Sequence, residues 1–277
     1  MKAGNKDITF TVIVAAWNGV STLQRCIDSV EAQTCPAVEL VIIDAGSTDG
    51  TKDILRLNDQ KIFYWESKPD RGIAHAWNKA LKHAQGEWVC FLGADDYFWN
   101  SSVLNDVHCF IQEYGDAPRV IYGKVNVVDE LGGVLGKYGE EWCIAKKRIF
   151  ESMPLPHQGV FHHQSLFLTY GEFDEHYKVG PDYEFLLRAL IDGEALLIPN
   201  LTVTGMQQGG LSSDPDFALL ALKDIRRAAI QHSTSGANLK WYMIYMRAVI
   251  RRAIVMLFGD NVAQIITSYY RRLSRDD

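Results

Sequence analysis

The alternation of strand-like and helix-like segments in the first hundred residues constrains the fold more than any other feature of this chain. Apolar runs bounded by turn residues predict strands at residues 8–16, 38–43, 62–66 and 88–92. Helical spacing with capping residues predicts helices at residues 21–33, 48–57 and 72–84. Strands that alternate with helices at such short intervals favour an α/β fold, a mostly parallel sheet with helices on both faces. Ligands of such sheets bind beyond the carboxyl ends of the strands, so functional residues are expected in the loops there.

The pattern changes beyond residue 118. Two strand-like runs at residues 120–128 and 134–138 flank Gly132-Gly133 and predict a hairpin. After a segment rich in proline and histidine come further predicted elements: a helix at 183–191, a strand at 195–204 and amphipathic helices at 217–232, 239–258 and 262–273. We therefore predict a catalytic domain at residues 1–210 and a C-terminal helical extension at residues 211–277.

Composition and cysteine usage point to a folded protein of the cytoplasm. With 277 residues, 47% of them hydrophobic and 22% charged, the chain can bury a substantial core. The five cysteines are odd in number, scattered, and lack the paired spacing of a zinc or redox site, which fits a reducing compartment. The first residues do not form an apolar signal segment, so export is not expected.

The C-terminal region is basic, whereas the whole chain has a formal net charge of −6. Residues 240–277 hold seven Lys and Arg residues against three Asp and Glu residues, and Lys240, Arg247 and Arg251 fall on one helical stripe. No apolar run reaches the roughly 18 residues that span a bilayer. This pattern predicts peripheral contact with an anionic membrane at its cytoplasmic face. Two alternatives remain open, a solvated terminal helix and aromatic residues packed against the body. Nucleic acid is not an expected partner, and the helices leave self-association open.

Four polar clusters follow the predicted strands of the first half. They are Ala15 to Gly19, Asp44 to Gly50, Asp70 to Ile73 and Gly93 to Asp96. Asp44 ends an apolar strand, and the glycine-containing turn after it can approach a flat ring closely and hydrogen-bond it. A plain turn would favour the same residues, so that interpretation stays open.

Asp95 and Asp96 form the sharpest of these clusters. Two adjacent carboxylates follow the apolar strand at residues 88–92, where unpaired negative charge is costly. A divalent cation would offset that charge, and hard oxygen ligands in small number suit Mg²⁺ or Mn²⁺. An ordinary turn or helix cap is the alternative.

Taken together and in this order, the clusters resemble the family 2 glycosyltransferases of the GT-A fold, over roughly residues 8–210. The resemblance implies a Rossmann-like, mixed but mostly parallel sheet and a nucleoside diphosphate sugar as donor. It implies a donor site formed by Ala16, Asn18, Asp44, Ser47, Asp70, Arg71, Gly72, Asn78, Ala94, Asp95, His157 and Gly210. It also implies that Asp96, helped by Asp95, binds the metal. The sequence departs from the common pattern at Gly93, where the family usually has Asp or Asn, and this leaves fewer oxygen ligands.

The block from Gly180 to Arg188 resembles the catalytic-base segment of the same family and implies that Asp182 is the general base. An N-cap role fits Asp182 equally well on local sequence alone. His157, His162 and His163 offer a zinc site as a further alternative, although no suitable Cys or carboxylate spacing accompanies them.

The function expected from the resemblance is inverting transfer of a sugar from a nucleoside diphosphate onto an acceptor hydroxyl. Uridine is the expected base of the donor because it is common among similar enzymes. The acceptor would be a carbohydrate or a lipid-linked glycan of cell-surface polysaccharide or glycolipid biosynthesis. A sugar-nucleotide pyrophosphorylase is disfavoured because the loop after the first strand carries no Lys or Arg. A dehydrogenase is disfavoured because no G-x-G-x-x-G follows that strand. A catalytically idle subunit that recruits partners to a membrane is the alternative from another class.

Overall fold

A single mixed sheet organises the fold, and its centre is the apolar strand β1 (Phe10–Ala16). The computed structural model of the protein describes residues 9–115, 118–153, 155–209, 215–232 and 239–259. The other strands are β2 (Val38–Asp44), β3 (Tyr64–Ser67), β4 (Trp88–Gly93), β5 (Tyr97–Phe98), β6 (Val120–Val128), β7 (Val134–Tyr138), β8 (Val160–His163) and β9 (Ala195–Gln207). The helices are α1 (Leu23–Glu31), α2 (Thr51–Leu57), α3 (Ile73–Leu81), α4 (Val103–Tyr114), α5 (Trp142–Ala145), α6 (Ser165–Tyr170), α7 (Pro181–Leu190), α8 (Pro215–His232) and α9 (Leu239–Phe258).

The strands are arranged in the order β3-β2-β1-β4-β8-β6-β9-β5, with β7 paired to the free part of β6. The first four of these are parallel, β8 runs antiparallel to both of its neighbours, and β6 is parallel to β9. The predicted α/β architecture, a mixed and mostly parallel sheet with a C-terminal helical part, is confirmed.

The register brings the ends of the parallel strands level with one another. Ala16 of β1 lies opposite Asp44 of β2, and Ala15 lies opposite Gly93 of β4. Asp44 in turn lies opposite Ser67 at the end of β3. Because parallel strands point the same way, the loops that follow all four of them open at one edge of the sheet.

Both faces of the sheet are covered at its centre, which explains why β1, β2 and β4 consist mainly of apolar residues. Successive β1 side chains point to opposite faces, so Ile13 joins the core beneath α3 and α7, whereas Val12 and Val14 join the core beneath α1 and α4. The first core is rich in aromatic rings, with Phe91 at its centre within ring-contact distance of Trp77 and Phe173. These two cores fix the sheet edge from both sides.

The elements predicted from the sequence match the structure to within a few residues, and the hairpin is present as the antiparallel pair β6 and β7. Among the described strands and α-helices, five were missed, namely β5, β8, α4, α5 and α6. Strand β8 is only four residues long and contains His162 and His163, whose polar character conceals a buried strand. The predicted helix at residues 262–273 lies outside the described residues.

The C-terminal helices follow one another across the body of the protein. Helix α8 packs on α7, and α9 packs on α8 through Trp241, whose indole nitrogen donates to the carbonyl of Leu222 at 3.3 Å. Arg226 of α8 stacks over Trp241 at 4.2 Å and over Tyr242 at 5.0 Å. Part of the aromatic cluster at the start of α9 therefore packs against the body. Within the described ranges, no helix combines the length and the apolar character needed to cross a bilayer.

Candidate active site

The loops after β1 and β2 are tied to each other by hydrogen bonds. The Asn18 backbone adopts the left-handed conformation, with φ of 50°, which Asn tolerates better than most residues. Its N–H donates to Ser47 Oγ at 2.7 Å, and its side-chain oxygen accepts from the N–H of Thr48 at 3.1 Å. Gly19 N–H donates to Thr51 Oγ1 at 2.9 Å. Asn18 and Ser47 thus build the shape of this part of the edge.

Asp44 is fully buried at the end of β2. One carboxylate oxygen accepts the Ser47 N–H at 3.0 Å and the other accepts the Ser47 hydroxyl. These two bonds use only part of the acceptor capacity of a carboxylate. Asp49 has a plainly structural role, because it accepts the N–H of Val20 and the hydroxyl of Thr51, and that hydroxyl holds the pKa of Asp49 below its usual range. The hydrogen bonds of Asp44 and Asp49 therefore fix the shape of this turn, and the contact of Asp44 with a nucleobase stays a prediction.

Asp95 and Asp96 lie directly after β4, at the centre of the edge. Asp96 is 2% exposed, and its Oδ2 accepts the Gly93 N–H at 2.9 Å. Burial, and after it the negative charge of Asp95, together raise the pKa of Asp96 to about 7. The fold therefore holds a second carboxyl next to Asp95 in a place where its ionised form is destabilised.

Gly93 makes this arrangement sterically feasible. A Cβ atom at this position would lie 2.6 Å from Asp95 Oδ1 and 2.8 Å from Asp96 Oδ2, closer than non-bonded atoms approach. Both carboxylates fold back over the end of β4 into the space where a side chain would otherwise be. The departure from the family pattern at this position thus has a physical reason, because a larger residue here would displace the acidic pair.

Arg25 of α1 supports the same site and was missed by the sequence analysis. Its Nη2 donates to the carbonyl of Asp95 at 2.7 Å and to Gln207 Oε1 at 2.5 Å, and its guanidinium lies 4.5 Å from the centre of the Tyr97 ring. Its positive charge opposes the rise in the pKa of Asp96. No local signal identifies Arg25, because it stands in an ordinary amphipathic helix and its partners are 70 and 182 residues away.

The acidic pair fits a divalent cation that takes some of its oxygen ligands from Asp95 and Asp96 and the others from a phosphate and water. Asp95 and Asp96 supply hard oxygen atoms, and the negative charge that they concentrate is what a cation would neutralise. Among the residues that the structure describes, no group of three His, Cys, Asp or Glu side chains could hold a metal by itself. A bound phosphate and water would have to complete the coordination, as is common for Mg²⁺.

Asp182 stands in the first turn of α7, after Gly180 and Pro181. Its carboxylate accepts hydrogen bonds from its own N–H and from that of Tyr183, while burial raises its pKa to about 6. The side chain nevertheless keeps 23% of its surface exposed. A carboxylate with a raised pKa and one open side is suited to accept a proton near neutral pH.

His157 links Asp182 to the end of β4. Its Nδ1 lies 3.9 Å from Asp182 Oδ2, and its ring stacks on Phe91 with centroids 5.1 Å apart. Burial lowers the pKa of His157 to about 3, so the imidazole is neutral and the contact is not an ion pair. Phe91 lies two residues before Gly93 on β4, so Asp182 belongs to the same sheet edge as the acidic pair. The zinc alternative gains no support, since the described residues contain no metal-binding cluster.

The block after β3 is engaged mainly with the segment before α7. Asp70 Oδ1 accepts the Gly72 N–H at 2.9 Å, and Arg71 donates to the Glu175 carboxylate through Nε and Nη2. The buried Asn78 donates to the carbonyl of Phe173 and accepts from its N–H, each at 2.9 Å. An open cavity of about 510 Å³ lies here, lined by Arg71, Asn78, residues 172–176 and Lys178. The predicted donor roles of Asp70, Arg71, Gly72 and Asn78 remain predictions, and the side chains of Asp70, Arg71 and Asn78 already have protein partners.

The remaining predicted site residues are placed as follows. Ala16 is buried at the end of β1, and Ala94 lies close to the loop after β1, since a Cβ on Gly19 would be 3.3 Å from Ala94 Cβ. Gly210 lies outside the described residues. The structure therefore brings Ala16, Asn18, Asp44, Ala94, Asp95, Asp96, His157 and Asp182 to one edge of the sheet.

Comparison with known proteins gives consistent matches. Residues 11–117 match the profile described as "Glycosyl transferase family 2". A "PGL/p-HBAD biosynthesis glycosyltransferase" of Mycobacterium tuberculosis is 30% identical over 257 residues, which cover 89% of this chain and 96% of the relative.

Solved structures share the fold at lower identity. S. aureus TarS 1-349 in complex with UDP-GlcNAc has a TM-score of 0.63 and 21% identity, over 89% of this chain and 73% of TarS 1-349. This chain spans 44% of a longer TarS chain. The mannosyltransferase PcManGT of Pyrobaculum calidifontis, in complex with GDP-Man and Mn2+, has a TM-score of 0.59 and 17% identity, over 97% and 75% of the two chains.

Replacing Asp96 by Asn should stabilise the cation-free protein in a pH-dependent manner. The folded-state pKa of Asp96, about 7, lies above the ordinary pKa of 3.8 for an aspartate, so the stability that this group contributes is lost as pH rises through about 7. In EDTA, the Asp96→Asn variant should melt at least about 2 °C above the wild type at pH 8, and the difference should shrink at pH 5. Calorimetry at both pH values measures this, with the exposed Asp192→Asn as control. A gain that is equal at both pH values would contradict the raised pKa.

Proposed function

Because the chain belongs to glycosyl transferase family 2, we propose that it moves a sugar from a nucleoside diphosphate onto an acceptor hydroxyl and inverts the anomeric carbon. One observation carries this proposal: a buried acidic pair and a second, partly open carboxylate lie at the same sheet edge, joined through His157 and Phe91. The first can organise a diphosphate, and the second can accept a proton. Inverting transfer needs both functions on opposite sides of the sugar.

A UDP-sugar is the donor that we propose. TarS has been solved with UDP-GlcNAc, and PcManGT with GDP-Man and Mn2+. Both share the fold with this chain, so a nucleotide-sugar fits the edge where β1, β2 and β4 end. The base would lie against the turn after β2, where Asp44 keeps free acceptor capacity. The diphosphate would then lie towards Asp95 and Asp96 at the end of β4.

Asp95 and Asp96 would hold Mg²⁺ or Mn²⁺ together with the diphosphate oxygens. When bound, such a cation supplies Lewis-acid stabilisation of the charge that builds up on the leaving diphosphate. Arg25 fixes the backbone of Asp95 through its carbonyl oxygen, and Gly93 leaves the space that both carboxylates occupy. These two residues therefore keep the acidic pair in place before any ligand binds.

Asp182 would act as the general base. Its carboxylate takes the proton of the acceptor hydroxyl while that oxygen forms a bond to the anomeric carbon and the bond from that carbon to the diphosphate oxygen breaks. A pKa of about 6 leaves the carboxylate ionised at pH 7 to 8 while keeping it basic enough to accept a proton. The neutral imidazole of His157 beside it adds no charge that would lower this basicity.

Nucleotide binding should depend on a cation held by Asp96. UDP at about 100 times its Kd, with Mn²⁺, should raise the melting temperature of the wild type by about 5 °C, and EDTA should remove most of that rise. Asp96→Ala should lose the Mn²⁺-dependent part, whereas the exposed Asp192→Ala should keep it. GDP and dTDP, assayed in parallel, test the choice of base. An undiminished Mn²⁺-dependent shift in Asp96→Ala would refute the metal assignment.

Turnover should depend on Asp182. With the UDP-sugar that gives the largest thermal shift, Asp182→Asn should lower kcat by about 10²–10⁴-fold, because the amide cannot take the proton. The UDP-dependent thermal shift should persist, and wild-type activity should fall as the pH drops below about 6. UDP release and sugar transfer are the measurements, with Asp192→Asn as control. Near-normal turnover of Asp182→Asn would exclude the base role, and an inactive wild type with every donor would favour an idle binding subunit.

We further propose that the acceptor is a lipid-linked or polysaccharide glycan and that α9 rests on the anionic cytoplasmic face of the membrane. The relative from M. tuberculosis carries the name of PGL/p-HBAD biosynthesis, which supports a cell-surface product. The α9 face turned away from α8 is apolar and exposed, with Met243 and Met246 both half-exposed and Ile250 at 54%. Arg247 and Arg251 are exposed along its border. An apolar stripe bordered by cations is typical of helices that lie in a membrane interface.

Acidic residues on the exposed apolar face of α9 should weaken binding to anionic vesicles. A Met246→Asp/Ile250→Asp variant should bind vesicles containing anionic lipid at least about tenfold more weakly than the wild type, because each apolar side chain kept out of the lipid forgoes about 1.5 kcal/mol or more. Added salt should weaken wild-type binding as well. Cosedimentation measures both effects. The control is Leu131→Asp, which changes an even more exposed apolar residue in the turn between β6 and β7. Equal sedimentation of wild type and double variant would remove the membrane proposal.

A further inference from the structure

Three consecutive backbone N–H groups, in the turn before α7, donate to a single carboxylate that belongs to the C-terminal helix α8. The Asp224 side chain on α8 accepts through Oδ2 from Lys178 at 3.0 Å, from Val179 at 2.9 Å and from Gly180 at 3.3 Å. These residues form the turn directly before α7, and Asp182 is the second residue of that helix. A carboxylate on a distant helix thus holds the turn that presents the proposed base.

The start of α7 lacks a cap of its own. Its N-cap residue is Gly180, which has no side chain, and Pro181 at the first helical position has no N–H. Successive N–H groups that point to one side form a concave anion site, and the positive end of the helix dipole adds to it. Without an acceptor these groups would be left unpaired at a partly buried position. Asp224 supplies the missing negative charge.

Contacts on both sides of Asp182 fix α8 in position. His232 Nε2 lies 2.9 Å from Glu184 Oε1, on the turn of α7 that follows Asp182. The Tyr177 hydroxyl donates to Gln231 at 3.0 Å, and Arg227 lies 4.8 Å over the Tyr177 ring. Asp224 is therefore not a mobile surface carboxylate, because the helix that carries it is joined to residues before and after the base.

We propose that Asp224 is a positioning residue for sugar transfer, holding the turn at residues 178–180 so that the Asp182 carboxylate faces the acceptor hydroxyl. This inference rests on the proposed role of Asp182. It makes α8 a working part of the active site, although its residues lie beyond the predicted boundary of the catalytic domain at residue 210. Asp224 itself does not touch the substrate.

Removing Asp224 should impair turnover and leave donor binding intact. Asp224→Ala should lower kcat by about 10²-fold, since a displacement of about 1 Å at a reacting group can cost that much. Asp224→Asn keeps an acceptor oxygen without the charge, so its kcat should lie between those of the wild type and Asp224→Ala. The KM for the donor and the thermal shift with UDP and Mn²⁺ should stay within about twofold and about 1 °C of the wild type. Lys223→Ala, an exposed neighbour on α8, is the matched control.

The pH profile separates positioning from a general loss of structure. When the turn is released, Asp182 becomes better hydrated, so its pKa, which burial raises, should fall and the acid limb of kcat should move to lower pH. His157, the nearest titratable group, stays neutral and does not contribute to this limb. Partial unfolding would lower the active fraction and leave the profile where it is. A wild-type profile in Asp224→Ala would overturn the inference.

A double-variant cycle distinguishes this inference from the proposed function. If Asp224 acts through Asp182, then Asp182→Asn/Asp224→Ala should be no slower than Asp182→Asn alone. Losses that multiply would show that Asp224 acts elsewhere and would overturn the inference. Normal turnover of Asp224→Ala with an inactive Asp182→Asn would reject only the role of Asp224, whereas normal turnover of Asp182→Asn would reject the base assignment.

Discussion

The placement of two carboxylates at the end of a buried strand is the constraint on which the site depends. The strand β4 is apolar and its neighbours β1 and β8 are largely buried, so Asp96, at 2% exposure, has few ways to disperse its charge. The fold responds with an N–H from Gly93, with the guanidinium of Arg25 nearby, and with the absence of a side chain at position 93. The two carboxylates thus concentrate negative charge at the edge where the parallel strands end. A cation can neutralise this charge, and a diphosphate can complete the coordination of the cation.

Much of this edge could be predicted from the sequence, because its elements are local. An apolar run followed by Asp44, and another followed by Asp95 and Asp96, indicate strands whose polar ends share one side of a parallel sheet. Arg25 and Asp224 could not be found in this way, since each acts on residues far along the chain and sits in an unremarkable amphipathic helix. Strand β8 was missed for a different reason, as its two histidines hide the apolar pattern on which such predictions depend.

The site draws on both halves of the chain, while the family profile covers only residues 11–117. The first half supplies the sheet edge with Asp44, Asp95 and Asp96. The later part supplies His157 and Asp182, which reach that edge because β8 runs antiparallel beside β4 and places His157 over Phe91. Helix α8 then braces α7 from behind through Glu184 and His232. In the proposed mechanism, the residues that hold the donor and the residue that accepts the proton of the acceptor thus come from separate stretches of sequence.

Asn78 joins these two stretches through a pair of buried hydrogen bonds to the backbone of Phe173, 95 residues away. Parting α3 from the segment before α7 would break both bonds at once and leave buried polar groups unmatched, at a cost of about 1–3 kcal/mol for each. The cavity between α3 and the segment before α7 is therefore held at a fixed width and does not widen for a larger ligand. A ligand that enters the cavity lined by Arg71, Asn78 and residues 172–176 therefore has to match its shape, because the two walls are not free to move apart.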